Sequence, residues 1–246
     1  QPQYSEIVSR KSIDIGSALS KNIVLDLPII AAPMDTVTNS YLISQMNRQG
    51  ATGVLHRYNS TYEQVHSLKR VEGLKAAAVG VTGDYADRAL KLVNAGASVI
   101  CVDVAHGHHA LVKHALKVLR NTIGYDIHIM VGNVATLQAF NDLADWGADS
   151  IKVGIGGGSI CSTRIQTGHG IPTLQSVMDC AQSDREAKLI ADGGIKSSGD
   201  MVKALAAGAD FVMVGSLLAG TIEAPGDSVV IDGKTYKKYR GMASVE

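Results

Sequence analysis

Short apolar runs rich in β-formers recur along this chain, separated by segments whose apolar residues follow helical spacing. Eight such runs stand out: LPIIAAP (27–33), ATGVLH (51–56), KAAAVGV (75–81), SVICVDVA (98–105), DIHIMVGNV (126–134), DSIKVGIG (149–156), KLIADGG (188–194) and DFVMVGS (210–216). Between them lie DYADRALKLVNAGA (84–97), TLQAFNDLADWGAD (136–149) and SSGDMVKALAAGAD (197–210), each with a glycine where a helix C-terminus favours one. The runs are continuous rather than alternating, as expected of parallel strands buried on both faces. Eight of them with intervening helices predict an α/β fold, a closed TIM-type (β/α)8 barrel in a single domain. An open doubly wound sheet is the alternative. Against it, the chain has no early strand-loop-helix with GxGxxG, and polar and glycine residues gather after the strands along its whole length.

Composition narrows the function classes. At 46% hydrophobic content, 246 residues can bury one sizeable core. Lys plus Arg and Asp plus Glu are equal at 23 each, with no basic block, so neither a nucleic acid nor an anionic membrane is an expected partner. No apolar run approaches the roughly 18–20 residues of a membrane span, and QPQYSEIVSRK at the start has no signal-peptide core, so the expected location is cytoplasmic. The three cysteines, Cys101, Cys161 and Cys180, have neither framework spacing nor a CxxC pair, so reduced thiols are expected. Small-molecule chemistry is the default.

A barrel places its active site at the C-terminal ends of its strands. The residues there are Pro33-Met34-Asp35, His56-Arg57, Asp103, Asn133, the loop KVGIGGGSICSTR, Asp192-Gly193-Gly194 and Gly215-Ser216. Loops after the seventh and eighth strands commonly hold phosphate, and Gly193, Gly194, Gly215 and Ser216 suit that role through close backbone approach and a hydroxyl donor. Asp192 either accepts from ribose hydroxyls or is a turn aspartate. Cys161, after GGGS and before STR, is the candidate nucleophile, because nearby backbone amides favour the thiolate. Cys101 in a strand and Cys180 on an apolar helix face read as packed core. Ser159 can join the phosphate contacts, and turned-back carbonyls of the glycine loop could hold a monovalent cation. DVAHGHH has three histidines but no further ligand at zinc-site spacing, so no zinc is expected. Asp103 there either faces the barrel mouth or caps the next helix.

Taken in order, AAPMDTVT, GVTGD, DVAHGH, GNVAT, KVGIGGGSICSTR, ADGGI, GSLLAGTIEAPG and KKYRGMAS cover nearly the whole chain and resemble the IMP dehydrogenase / GMP reductase family. The resemblance implies a barrel, usually tetrameric, in which Cys161 attacks C2 of a purine nucleoside monophosphate (IMP, XMP or GMP). A nicotinamide cofactor exchanges hydride there: NAD in a dehydrogenase, NADPH in a reductase. By motif position it implies that Thr163 places water or ammonia, and that Gly156, Gly158 and Cys161 offer carbonyls to K+. Ser159, Gly193, Gly194, Gly215 and Ser216 would hold the phosphate, and Asp192 the ribose. Met34, Tyr239, Gly241 and Met242 would lie along the nucleotide, and Asp103, Val104, Ala105, Gly154 and Gly156 along the cofactor.

Pro33 within AAPMDTVT, with GVTGD and LLAGTIEAPG, looks more like the dehydrogenase, whereas Val104 looks more like the reductase. The expected activity is NAD-dependent oxidation of IMP to XMP, with GMP reduction as the alternative and purine-nucleotide binding without turnover as a third reading. RYNSTYEQVHSLKRVEGLKAAAVGV leaves no room for paired CBS regulatory domains, so residues 1–246 are expected to form one catalytic domain. The family's flap and final helix, which carry the water-activating arginine or the reductase's acid, are not found by motif in residues 1–246; two readings stay open, a naturally reduced protein or a chain that is part of a longer one.

Overall fold

The computed structural model describes residues 4–242. Its centre is a closed barrel of eight parallel strands: β1 (Ile29–Ala31), β2 (Thr52–Leu55), β3 (Ala76–Val79), β4 (Val99–Asp103), β5 (His128–Val134), β6 (Ser150–Val153), β7 (Lys188–Asp192) and β8 (Phe211–Val214). Consecutive strands pair in order, and β8 closes the ring by pairing Val212 with Ile29 on one side and Phe211 with Ile190 on the other. Each of the eight apolar runs holds one strand, trimmed by one to three residues at most ends, where polar and glycine residues turn the chain into loops.

Around the barrel lie α1 (Ser40–Arg48), α2 (Thr61–Lys69), α3 (Tyr85–Asn94), α4 (Ala110–Ile123), α5 (Leu137–Asp145), α7 (Thr173–Cys180) and α8 (Ser198–Ala206), with short α6 (Thr163–Thr167) and α9 (Ser216–Ala219). Side chains stop the orphan N–H groups at several helix starts: Asn39, Thr136 and Ser197 each accept from the third residue on, and Ser60 forms a reciprocal box with Glu63. Gly96, Gly147 and Gly208 follow their helices at φ of +99°, +102° and +112°, the conformation for which glycine ends were expected.

Alternation along each strand divides the core into two layers. Ala77, Val79, Ile100, Val102, Ile151 and Val153 point outward to the helices, while Ala76, Ala78, Val99, Cys101, Met130, Ile190, Phe211 and Met213 fill the interior. An antiparallel hairpin, Ser17–Ser20 with Ile23–Leu25, brings Leu19 and Leu25 against this inner layer. A second hairpin, Ser228–Ile231 with Lys234–Lys237, follows α9 and is largely exposed.

Of the two roles open to Asp103, capping the next helix is not the one it takes. His109, not Asp103, caps α4, its Nδ1 accepting from the Leu111 amide at 3.1 Å. His108 Nε2 pairs with Asp142 at 2.7 Å and stacks on Trp146, and among the described residues no cluster of three or more His, Cys, Asp or Glu is placed to hold a metal. No helix among them is long and apolar enough to cross a membrane.

Candidate active site

A cavity of about 250 Å³ opens at the C-terminal ends of the strands. The loop after β6 supplies its largest wall, Gly154 to Gly158 and Ile160 to Thr163, with Cys161 half-buried. Facing it are Met34 after β1, Val104 and Ala105 after β4, Asn133 in β5, Asp192 at the end of β7 with Gly193 after it, and Tyr239, Gly241 and Met242 from the segment beyond the second hairpin. Ser159, Gly194, Gly215, Ser216 and Asp103 lie outside this wall. Gly215 nonetheless adjoins it, since a Cβ there would sit 3.2 Å from Tyr239 Oη and 3.3 Å from Met34 Sδ. Ser216 opens α9, whose N-terminus has no side-chain cap.

The glycines let three loops meet. A Cβ on Gly154 would lie 1.9 Å from the Asp192 carbonyl oxygen, and one on Gly157 2.3 Å from Thr173 Oγ1. Gly193 packs from the other side, 3.1 Å from the Gly158 amide nitrogen by the same measure. The loops after β6 and β7 therefore touch backbone to backbone, which no residue with a side chain permits. Arg164 braces the far side: its stem runs beside Gly156 and Gly170, and Nη2 donates to the Ile171 carbonyl at 2.9 Å. Within this frame the Cys161 amide donates to the Gly158 carbonyl at 3.1 Å, and its thiol donates to Thr163 Oγ1 at 3.2 Å. The other two thiols are buried, and burial pushes each up to about 12, so neither is a nucleophile at neutral pH.

Beneath the cavity the alternation that filled the barrel with small side chains also turns Lys152, Asp103 and Asp192 inward. Lys152 is buried and its ammonium pairs with the Asp103 carboxylate. Burial is the largest single influence and disfavours its charge, but Asp103, Cys101 and Asp192 together outweigh that and hold the ammonium above its ordinary value. Room for it comes from Gly132, where a Cβ would lie 2.5 Å from Lys152 Cβ. Burial pushes the Asp192 carboxyl above its usual range, against the pull of Lys152 and of Asn133. Asn133 Nδ2 donates at 2.8 Å both to Asp192 Oδ2 and to the Gly154 carbonyl, joining β5, β6 and β7 at the cavity floor. Lys152 escaped the reading of the strand ends; its signal was a lone lysine inside the otherwise apolar run DSIKVGIG.

The family model described as IMP dehydrogenase / GMP reductase domain matches residues 1–246. The chain belongs to the IMP dehydrogenase / GMP reductase family. It is 32% identical to inosine-5'-monophosphate dehydrogenase of Nitrosopumilus maritimus, over 99% of this chain and 78% of that one, in an alignment of 375 positions. It is 48% identical to GMP reductase of Leishmania major over 82% of this chain, but spans only 40% of that protein. A crystal structure of inosine 5' monophosphate dehydrogenase from Legionella pneumophila superposes with a TM-score of 0.91 at 47% identity, covering 98% of this chain and 75% of that one. The eight-stranded barrel is thus the family's fold, and the chain is an oxidoreductase of this family.

Proposed function

We propose that this domain oxidises IMP to XMP with NAD, through a covalent intermediate on Cys161. The observation that carries the reading is the half-buried thiol on the wall of a cavity that also presents glycine backbone, Asp192 and Met34. In this mechanism sulfur adds to C2 of the purine while the thiol proton passes to the ring nitrogen that takes up the electron pair. The nicotinamide cofactor, when bound, accepts the hydrogen that leaves C2 with its two electrons. Water then attacks C2 and the C–S bond breaks. XMP departs, and one water proton returns to sulfur while the other goes to solvent. Thr163 Oγ1, already accepting from the thiol, has its own hydrogen free to orient that water. Ser159, Gly193, Gly194, Gly215 and Ser216 would hold the phosphate and Asp192 the ribose, with Met34, Tyr239, Gly241 and Met242 along the base.

For the cofactor the fit is favourable. Val104, Ala105, Gly154 and Gly156 present a surface with little side-chain bulk to a flat ring, and Asp103, next to Val104 at the end of β4, is fixed by Lys152. The carbonyls of Gly156 and Cys161 accept no backbone hydrogen bond among the described residues and that of Gly158 accepts only one, an oxygen set that suits K+. The cation would hold the cysteine loop in shape. Two features support one catalytic domain without CBS modules. Only α2 and short loops join β2 to β3, and the 375-position alignment is longer than this chain, so the relative carries segments that this one does not. We further propose that the domain works as a homotetramer in the cytoplasm; the exposed Val229, Val230 and Ile231 of the second hairpin offer an apolar surface to another copy.

The test supplies IMP and NAD to the full-length protein and follows absorbance at 340 nm with XMP detection. NADH and XMP should form together, and neither forming overturns the reading. GMP reduction with NADPH is the second reading, favoured by Val104 and by the reductase relative, and is read as loss of NADPH with ammonia release.

A further inference from the structure

Tyr239, Gly241 and Met242 wall one side of the cavity, yet residues 239–242 belong to no helix or strand. Ladder hydrogen bonds therefore cannot hold them, and their position depends on side-chain ties. Most of these run to the loop after β1. The Asp35 carboxylate pairs with the Arg240 guanidinium, the Arg240 amide donates to Thr36 Oγ1 at 3.4 Å, and the Asp35 amide lies 3.4 Å from Met242 Sδ. That loop is a stiff anchor. The Met34 carbonyl accepts the amides of Val37 and Thr38 at 3.0 and 2.9 Å, and buried Thr38 donates its hydroxyl to the Ala32 carbonyl at 2.6 Å. At the other end of the strap Tyr239 Oη lies against Gly215. One four-residue stretch thus links the loops after β1 and β8 beside the cavity wall.

The Asp35 pair is the strongest of these ties in kind, because both partners are charged. Its energy comes from what happens when it opens. Asp35 Oδ1 is buried without a hydrogen-bond partner, so a strap that swings away leaves a part-buried carboxylate with neither oxygen bonded to a side chain. Nothing nearby replaces the arginine. Among the described residues Arg240 is the one cation paired with Asp35, and His56, which also faces it, is kept neutral by burial.

We propose that Asp35 and Arg240 form a positioning pair that locks the Tyr239–Met242 strap against the cavity and so sets affinity for the base end of the nucleotide without touching it. The proposal rests on the reading of Gly241 and Met242 as base contacts. A strap held in place before binding spares the nucleotide the cost of ordering it, so loss of the pair shows in KM and Kd rather than in the rate of the thiol chemistry.

Asp35→Asn, Arg240→Met and Arg240→Lys in the full-length protein test it with three readouts: hydrogen exchange at the strap amides without ligand, IMP affinity by calorimetry, and iodoacetamide alkylation of Cys161. Asp35→Asn and Arg240→Met should speed exchange at 239–242 and weaken IMP about three- to tenfold, as befits a half-exposed pair. Arg240→Lys should recover most of both, and alkylation without ligand should match wild type, showing that the cysteine loop is intact. Wild-type exchange and affinity in Asp35→Asn, or Arg240→Lys behaving like Arg240→Met, overturns the proposal. If the unaltered protein binds neither IMP nor GMP, the purine-nucleotide reading fails instead, and strap exchange alone still decides whether the pair holds the strap.

Discussion

Replacing Gly154 by alanine strikes the contact on which the site's shape depends. The new Cβ would start 1.9 Å from the Asp192 carbonyl oxygen, whereas real Cβ atoms stay beyond 3.0 Å, so the ends of β6 and β7 must part by at least about 1 Å. The residue also sits at φ +147°, a conformation that costs a side-chain-bearing residue about 1–3 kcal/mol. Gly83 is the control. At φ +67° it carries strain of the same kind, but a Cβ there meets nothing within 4 Å. For a chain of this size each kcal/mol lowers Tm by about 2–4 °C, so Gly83→Ala should lose a few degrees and Gly154→Ala roughly 10 °C. Because Gly154 also receives the Asn133 bond at the cavity floor, the displacement reaches the site, and a shift of about 1 Å in positioning groups costs on the order of a hundredfold in kcat/KM. Gly83→Ala should leave kcat/KM within twofold. Thermal melting by circular dichroism and steady-state kinetics check both; equal Tm losses with unchanged kcat/KM in Gly154→Ala would refute the argument that these glycines exist for close approach.

Lys152→Met strands the Asp103 carboxylate in the barrel and should cost about 3 kcal/mol in urea unfolding, whereas the double change Lys152→Met/Asp103→Leu should recover most of it; a double variant less stable than the single one contradicts the pairing. His128 is buried at the opposite end of the barrel interior, bonded through Nε2 to Ser150 Oγ at 2.8 Å, and burial pushes its pKa down from 6.5 to about 4. A histidine held neutral in the folded state stabilises above its unfolded pKa, and that contribution is lost as pH falls from about 6.5 to about 4, to the extent of about 3 kcal/mol. Urea midpoints at pH 7.5 and 4.5 should therefore differ less in His128→Gln than in wild type, and an equal difference in both assigns the acid sensitivity elsewhere.

The barrel was legible because strands buried on both faces read as continuous apolar runs and their helices end at glycine. The same continuity hid the interior. In DSIKVGIG nothing but the oddity of a lysine says that Ser150 and Lys152 face inward while Ile151 and Val153 face the helices, so the Lys152–Asp103 pair appears only once the ring is closed. Asn133 was visible as a strand-end residue, but a turn asparagine looks the same until Asp192 and Gly154 come within 2.8 Å. The two hairpins carry apolar stretches of only three residues, IVL (23–25) and VVI (229–231), too short to stand out beside the eight runs. Their local chemistry was present all the same: Asp232 and Gly233 both take positive φ in a two-residue loop that pairs Ile231 with Lys234, the pattern expected of Asp-Gly in a tight hairpin. The cysteine loop was the most readable part, since four glycines and a serine before a lone thiol have few structural uses other than close packing around it.

Intact-mass and peptide mass spectrometry of the full-length protein, acid-quenched during turnover with IMP and NAD, tests the central claim most directly. The account predicts a purine nucleotide covalently attached to Cys161, formed only when both IMP and NAD are present and absent in Cys161→Ala. Turnover without any adduct on Cys161, or undiminished turnover in Cys161→Ala, would contradict it.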